Sequence, residues 1–379
     1  MALRQLRQHL YPIGRRSFAI ASAETQRPIS LETIDAQSAE GKAKTLIRSS
    51  THVLREVLTS DNIPSLILLD GPKGVGKSTL LSQSVAFARK HHHVVLHIPS
   101  AREWTGGAGF FTAKPVEGME PHLDGLEAVR FYDRPSQTRK LFEDLLNAHA
   151  EILEEMPCHE KLCTPLTKEC KSLRELVQLG LDLLVDIDTD WGSHPTEAGD
   201  VLHQLILQLA HTDRPVGIAI DDFHAFVGLT CMTNERHHRL HANCIRVIAQ
   251  HFGRERIEAT AKALRKGYVM LATDSDAPME TWRKSRVRSV VDFPLAEEVR
   301  NDPAGKQWWH DFRDRVRKAD QSDSLYVQVP ELQGGELKAL CATFEQGGLK
   351  RDHGRAYTDR LIALAGGRAD KMRKIFISR

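Results

Sequence analysis

The stretch Ser65-Leu-Ile-Leu-Leu-Asp-Gly-Pro-Lys-Gly-Val-Gly-Lys-Ser78 decides the fold of this 379-residue chain. Its apolar first half predicts a buried strand, and a helix is expected from Lys77 to about Lys90. Between them, Gly71 to Ser78 satisfies the pattern G-x-x-x-x-G-K-[ST] of a phosphate-binding loop, or P-loop. The position directly after a strand and at the start of a helix is the one that this loop requires. The sequence therefore predicts nucleotide binding.

The residue types in the loop match what phosphate binding needs. Glycines let the backbone wrap closely and point its N–H groups at the phosphates, and the following helix presents its positive end to the same anion. Lys77 is expected to contact the β and γ phosphates, Ser78 to ligate Mg²⁺, and Thr79 to contact the α phosphate. The predicted nucleotide-binding residues are Gly71, Gly74, Val75, Gly76, Lys77, Ser78 and Thr79.

The pattern around the loop predicts an α/β fold. A helix through Leu46, Val53, Leu54 and Leu58 precedes the loop strand. Further strands are expected at 93–99, 215–222, 267–273 and 325–329, and helices near 136–156, 172–187 and 197–211. The segment 100–135 is rich in glycine and aromatic residues and is interpreted as a long surface excursion. Alternating strands and helices indicate a parallel sheet flanked by helices.

The domain organisation follows from changes in composition. Residues 1–23 contain four arginines and no acid, which is typical of a mitochondrial transit peptide; a frayed basic N-terminus of a cytosolic protein is the alternative. Residues 24–40 are polar and patternless, so they are expected to form a flexible arm. Residues 41–294 are predicted to form the nucleotide-binding domain, and 295–379 a smaller, mostly helical C-terminal lid.

Charge and hydropathy narrow the possible partners. Removing residues 1–23 takes four of the 52 basic residues and none of the 50 acids, so the net charge changes from +2 to −2. RNA contacts are therefore expected to be local, because proteins that wrap nucleic acid usually carry a positive excess. No apolar run reaches the length needed to span a bilayer. Candidate RNA-contacting residues are Arg283, Lys284, Arg286, Arg288, Arg368, Lys371, Arg373, Lys374 and Arg379, with solvated surface as the alternative.

Two carboxylates follow the predicted strand at 215–222. Asp221 fits the acidic residue that holds Mg²⁺ opposite a P-loop, and Asp222 is a candidate for orienting an attacking water. A pair of acids that only ends a strand or caps a helix is the alternative. The segment Leu271-Ala-Thr-Asp274 resembles the sensor position of AAA-type ATPases near the γ phosphate, and a strand end followed by a turn is the alternative. Arg368 is a candidate lid arginine, although Gly-Gly before it is also an ordinary helix stop.

The order of these landmarks resembles the mitochondrial small-subunit ribosomal proteins of the death-associated protein three family. The segments that carry the resemblance, besides the P-loop, are His97-Ile-Pro-Ser-Ala-Arg-Glu-Trp104, Phe131-Tyr-Asp-Arg-Pro135, Leu173-Arg-Glu-Leu-Val-Gln-Leu-Gly180, Ile218-Ala-Ile-Asp-Asp-Phe-His-Ala-Phe226 and Val329-Pro-Glu-Leu-Gln-Gly-Gly-Glu336. The resemblance covers residues from about 45 to 375.

The resemblance implies an AAA-like P-loop fold in the head of the mitochondrial small ribosomal subunit, in the mitochondrial matrix. It implies bound GTP or GDP with Mg²⁺, partners among small-subunit ribosomal proteins with local rRNA contacts, and no homo-oligomer. The residues themselves do not separate guanine from adenine. A nucleotide that stabilises a ribosomal component, with slow or absent hydrolysis, is the expected function; an active AAA- or STAND-type ATPase or GTPase switch is the alternative, and a small-molecule kinase is less favoured.

Overall fold

A computed structural model describes residues 30–34, 43–106, 112–115, 130–184, 195–233, 239–254, 256–273, 303–319, 323–333 and 336. The strands are β1 (Ser30–Ile34), β2 (Ala43–Ile47), β3 (Leu66–Asp70), β4 (Val94–Ile98), β5 (Thr112–Pro115), β6 (Arg130–Asp133), β7 (Val216–Ile220), β8 (Leu229–Thr233), β9 (Arg239–His241), β10 (Gly267–Ala272) and β11 (Ser324–Gln328). The α-helices are α1 (Ser49–Leu58), α2 (Lys77–Lys90), α3 (Ala101–Gly106), α4 (Pro135–Glu154), α5 (Leu173–Asp182), α6 (Pro195–His211), α7 (Ile257–Ala263) and α8 (Pro303–Lys318).

Five of the strands form one parallel sheet in the order β11-β3-β10-β7-β4. Strands β3 and β7 are buried along their whole length, as expected of parallel strands that are covered on both faces. The strand that carries the P-loop thus lies inside the sheet, with β10 between it and β7, the strand that Asp221 follows. The predicted α/β fold with a parallel sheet flanked by helices is confirmed.

Side-chain alternation along the strands divides the core into two layers. Ile67, Leu69 and Met270 pack on one face with residues of α1 and α2. Leu66 and Leu68 pack on the opposite face, in a larger cluster with residues of α4, α5, α6, α7 and α8. Successive side chains of a strand point to opposite faces, so each central strand contributes to both layers. No helix among the described residues is both long and apolar enough to cross a membrane.

An antiparallel hairpin precedes the first helix. Strand β1 pairs with β2, in a register that places Ser30 opposite Ile47 and Ile34 opposite Ala43. Residues 30–34, which the sequence analysis assigns to a flexible arm, are thus a strand. Leu46, expected in a helix, lies in β2, because the helical period of the following residues extends only back to Ser49. Arg48 follows the hairpin directly, and its side chain contacts the P-loop.

The segment interpreted as a surface excursion contributes to the core. Helix α3 buries Ala101, Trp104 and Thr105, and β5 pairs with β6 in an antiparallel hairpin. An aromatic-rich segment without helical or strand periodicity gives no signal that separates a loop from a short buried helix. Helix α3 places Arg102 at the end of β7.

The C-terminal boundary of the nucleotide-binding domain also differs from the expected one at 294. Strand β11 pairs with β3 in the main sheet, and α8 buries Trp309, Phe312 and Val316 in the larger core cluster. Residues 303–328 therefore belong structurally to the sheet domain and not to a separate lid. The sequence could not predict this, because pairing between β11 and β3 joins residues more than 250 positions apart.

A buried ion cluster centred on Arg246 links strand β6 to helix α6. Arg246 donates from Nε and Nη2 to the two carboxylate oxygens of Asp133 at 3.0 and 2.6 Å, and from Nη1 to Asp200 at 2.5 Å. Only 4% of the Arg246 side chain and 7% of the Asp133 side chain are exposed. A paired, hydrogen-bonded geometry of this kind is the condition under which buried charges are tolerated.

Candidate functional site

The P-loop has the backbone conformation that only its glycines permit without strain. Gly71, Gly74 and Gly76 have φ angles of +151°, +83° and +99°, and a Cβ atom on Gly71 would lie 2.4 Å from the Val329 carbonyl oxygen. The first glycine is therefore required both by its φ angle and by the close approach of the chain that follows β11. The loop forms a backbone cradle of the kind that binds phosphate.

Lys77 lies within this cradle. Its Nζ donates to the carbonyl oxygens of Gly71 and Pro72 at 2.8 and 2.6 Å, and the residue is only 6% exposed. Ser78 and Thr79, in the first turn of α2, have exposed side chains. The ammonium group is thus held at the loop by a helix that begins there, while the two hydroxyls remain accessible at its positive end.

Arg48 holds the loop from its other side. Its Nη1 donates to the Val75 carbonyl oxygen at 2.8 Å, and its Nη2 to the Pro330 carbonyl oxygen at 2.9 Å. Its Nε donates to Glu336 at 2.9 Å, in an ion pair whose side chains are 9% and 12% exposed. One planar guanidinium therefore connects the hairpin β1–β2, the P-loop and the segment after β11.

A second ion pair connects the loop strand to α8. Asp70, the last residue of β3, is 1% exposed and accepts at Oδ2 from Arg313 at 2.5 Å and from the Tyr326 hydroxyl at 2.7 Å. Burial and, after it, the hydrogen bond to Asp70 raise the pKa of Tyr326. The residue directly before the P-loop is thus fixed by residues of α8 and β11, which a separate lid would not provide.

The carboxyl edge of the sheet brings three strand ends together. Strand β10 lies between β3 and β7, with Ala272 opposite Leu69 and Leu271 opposite Ile220. Thr273 follows β10, is 2% exposed, and donates its N–H to the Leu69 carbonyl at 3.1 Å. Its Oγ1 is buried and has no hydrogen-bond partner in the part of the chain that the structure describes. A buried hydroxyl without a partner at this edge is consistent with a ligand that supplies one.

Asp221 and Asp222 follow β7 at the same edge. Asp221 Oδ1 accepts the backbone N–H of Asp222 at 2.8 Å, and Asp222 adopts the left-handed conformation with φ 54° and ψ 32°. Asp222 Oδ1 lies 3.2 Å from Arg102 Nη2, and that same Nη2 lies 3.0 Å from His224 Nε2. The predicted water-orienting carboxylate is therefore engaged in an ion pair with an arginine of α3.

These residues suit a nucleotide with Mg²⁺. The glycine cradle and Lys77 offer donors to phosphate oxygens, and the unpartnered Thr273 hydroxyl offers a further contact. Ser78 and Asp221 carry oxygen atoms of the kind that Mg²⁺ prefers as ligands. The structure thus brings the P-loop residues, Asp221 and Asp222 to one edge of the sheet. Arg368, Asp274, residues 1–23 and the candidate RNA-contacting residues lie outside the described residues.

Two residues at the site carry no role in the sequence analysis. Arg48 contacts residues that are 27 to 288 positions away in the sequence, and Arg102 contacts residues that are 120 and 122 positions away. No local sequence pattern predicts such pairs. The available signal is indirect. Arg102 lies in His97–Trp104 and the Arg48 partner Glu336 ends Val329–Glu336, two of the segments that carry the family resemblance.

Comparisons with known proteins agree with these landmarks. The small ribosomal subunit protein mS29 of Mus musculus is 25% identical over 202 residues, which cover 52% of this chain and 47% of that protein. The chain thus spans about half the length of the curated relative it matches. The structure of the Aeropyrum pernix ORC2 protein in ADPNP–ADP complexes is similar at a TM-score of 0.31 and 9% identity, over 79% of this chain and 51% of that chain. The family model described as mitochondrial ribosomal death-associated protein 3 matches residues 45–374. This chain belongs to the mitochondrial ribosomal death-associated protein 3 family.

Proposed function

We propose that this chain is a structural constituent of the mitochondrial small ribosomal subunit that binds a guanine nucleotide and Mg²⁺ at its P-loop and hydrolyses the nucleotide slowly or not at all. A member of this family works in the mitochondrial matrix. The ribosomal role follows from membership of the family and from the similarity to mS29. Small-subunit ribosomal proteins and local rRNA are the proposed partners.

The observation that carries the nucleotide proposal is the loop geometry. Three glycines at positive φ, with the Lys77 ammonium held between the first loop carbonyls, form a cradle for a polyphosphate. In the bound state Lys77 contacts the β and γ phosphates, and Ser78 and Asp221 ligate Mg²⁺ directly or through water. Mg²⁺ supplies charge neutralisation between the phosphates. Guanine is proposed from the family resemblance, and adenine is the alternative.

A stabilising role for the nucleotide follows from how the loop is connected. Arg48 and Asp70 link the P-loop to the N-terminal hairpin, α8 and the segment after β11. A ligand that binds only the folded state stabilises it by RT ln(1 + [L]/Kd), about 4 kcal/mol at a thousandfold excess over Kd. The bound nucleotide therefore stabilises elements far apart in sequence as one unit.

Slow turnover is proposed because the carboxylate that would orient water is engaged by Arg102. Lys77→Ala tests the whole proposal, because it removes charge-assisted hydrogen bonds that each contribute about 1.5–3 kcal/mol. We expect nucleotide affinity to fall roughly 10- to 100-fold and incorporation into the small subunit to fall with it.

The matched control is Lys90→Ala, which removes the same charge from the exposed last turn of α2. Affinity is measured by isothermal titration with GTP, GDP and ATP in the presence of Mg²⁺, and incorporation by sedimentation of mitochondrial lysate. Normal incorporation of the Lys77 variant would count against a stabilising nucleotide. Rapid hydrolysis by the wild-type protein would instead favour an ATPase or GTPase switch.

A further inference from the structure

Arg102 occupies a position that the backbone fixes relative to the acidic strand end. The N–H of Ala101, the first residue of α3, donates to the Asp221 carbonyl at 2.9 Å, and the N–H of Asp221 donates to the Ile98 carbonyl at 2.9 Å. These two hydrogen bonds join the ends of β4 and β7 and the start of α3. Because Arg102 follows Ala101 directly, its side chain begins next to the strand end that carries both carboxylates.

The Arg102 guanidinium contacts two side chains that follow β7. Its Nη2 lies 3.2 Å from Asp222 Oδ1 and 3.0 Å from His224 Nε2. A guanidinium only donates, so His224 Nε2 is the acceptor in this contact. His224 is 2% exposed and therefore has little freedom to move away. The arginine is thus held between a fixed ring and a carboxylate.

The Asp222 carboxylate is also restrained from its own backbone. The residue lies in the left-handed region, its N–H donates to Asp221 Oδ1 at 2.8 Å, and its carbonyl accepts from the N–H of Ala225 at 2.8 Å. Aspartate tolerates this conformation better than most residues. The Arg102 guanidinium therefore contacts a carboxylate whose backbone is held on both sides. A carboxylate oxygen that accepts from a guanidinium has less capacity to orient a water molecule.

We propose that Arg102 is a positioning residue that restrains Asp222 and thereby keeps hydrolysis of a bound nucleoside triphosphate slow. This inference rests on the proposed nucleotide-binding function and names the group that limits turnover at that site. In the hydrolysis step the water oxygen attacks the γ phosphorus, and the bond from that phosphorus to the β–γ bridging oxygen breaks. The electron pair leaves with the nucleoside diphosphate, and the water proton passes to Asp222 and then to solvent.

The test is single-turnover hydrolysis of GTP, and separately of ATP, by the full chain with Mg²⁺. Arg102→Gln removes the charge and leaves a shorter polar side chain that does not reach Asp222, and we expect it to raise the hydrolysis rate roughly tenfold or more, as a released general base would. Nucleotide Kd is expected to change less than about threefold, since Arg102 acts through Asp222. Arg139→Gln, which breaks an exposed ion pair on α4, is the control and leaves the rate unchanged.

A double variant separates this role from a merely structural one. Asp222→Asn added to Arg102→Gln should return the rate to the wild-type level, because the released carboxylate is then absent. If Arg102→Gln does not fold, Arg102→Lys replaces it and should give a smaller rise, since an ammonium cannot contact both partners in the same fork geometry.

Each outcome has a defined meaning. A wild-type chain that binds no nucleotide overturns the proposed function and this inference with it. A chain that binds nucleotide, with an unchanged rate in the Arg102 variants, overturns this inference alone. A lower rate in those variants also overturns it, because Arg102 would then assist the transition state. A raised rate that persists in the double variant shows that Asp222 is not the restrained group.

Discussion

Replacing Arg48 with alanine should destabilise the protein and weaken nucleotide binding together. The substitution removes the hydrogen bonds to the Val75 and Pro330 carbonyls at 2.8 and 2.9 Å, and it leaves Glu336 without its cation. The guanidinium contacts both the P-loop and the segment after β11. The change therefore tests whether the loop is held by its neighbours or by its own sequence.

The expected magnitude follows from burial and bond type. Breaking a buried ion pair by removing one partner costs about 3–5 kcal/mol, and the side-chain exposures of 9% and 12% favour the lower end of that range. We expect a loss of about 3 kcal/mol in the free energy of unfolding. If one loop residue must be ordered again on binding, at about 1–2 kcal/mol, nucleotide Kd should rise roughly tenfold.

Urea unfolding followed by tryptophan fluorescence measures the free energy of unfolding, and titration with GTP measures the nucleotide Kd. Arg174→Ala is the matched control, because it removes an arginine from an ion pair with side chains 52% and 54% exposed, where a change below about 1 kcal/mol is expected. Arg48→Lys should fall between the control and Arg48→Ala, since one ammonium cannot reach all three acceptors. If Arg48→Ala lowered the free energy of unfolding no more than the control does and left Kd unchanged, Arg48 would not hold the P-loop.

Two further predictions concern the core. Arg246→Ala should lower the free energy of unfolding by about 3–5 kcal/mol because it leaves the buried Asp133 carboxylate without its cation. Arg265→Ala removes an arginine from an exposed ion pair and should lower it by less than about 1 kcal/mol. Equal urea midpoints for the two variants would contradict this prediction. Burial lowers the pKa of His149 to about 4 and that of His251 to about 3, from 6.5. At a pH between the folded and unfolded pKa values, the unfolded chain binds more protons than the folded chain. The stability that each neutral, buried histidine contributes is therefore complete above about pH 6.5 and is lost as the pH falls, by about 1 kcal/mol per histidine near pH 5.5. Urea unfolding at about pH 7.5 and 5.5 measures this loss; His149→Gln should reduce it, and an equal loss in that variant contradicts the assignment.

The sequence predicts the strands, the helices behind them and the loop because these depend on local patterns. The run Leu66–Asp70 is apolar throughout, and the loop glycines recur at the spacing that phosphate binding requires. The bounds of strands β4, β7 and β10 lie within two residues of the predicted ones for the same reason. The loop that contains Gly71 to Gly76 therefore lies between a strand and a helix, as the pattern predicts.

The parts that the sequence does not predict depend on distant contacts. Strand β11 belongs to the sheet because it pairs with β3, and Arg102 faces Asp222 because two backbone hydrogen bonds join β4, β7 and α3. Arg48 reaches the loop only through the folded hairpin before α1. A single sequence contains these residues without indicating their partners. Asp222 illustrates the consequence, since its position after Asp221 predicts a catalytic group and the structure pairs it with an arginine.

The most direct test of the central claim is mass-spectrometric identification of the nucleotide released from the natively purified particle, together with the sedimentation profile of the protein in mitochondrial lysate. We expect a guanine nucleotide, at about one per chain, in protein that sediments with the small ribosomal subunit. Protein that sediments freely, carries no nucleotide or exchanges and hydrolyses ATP would contradict it.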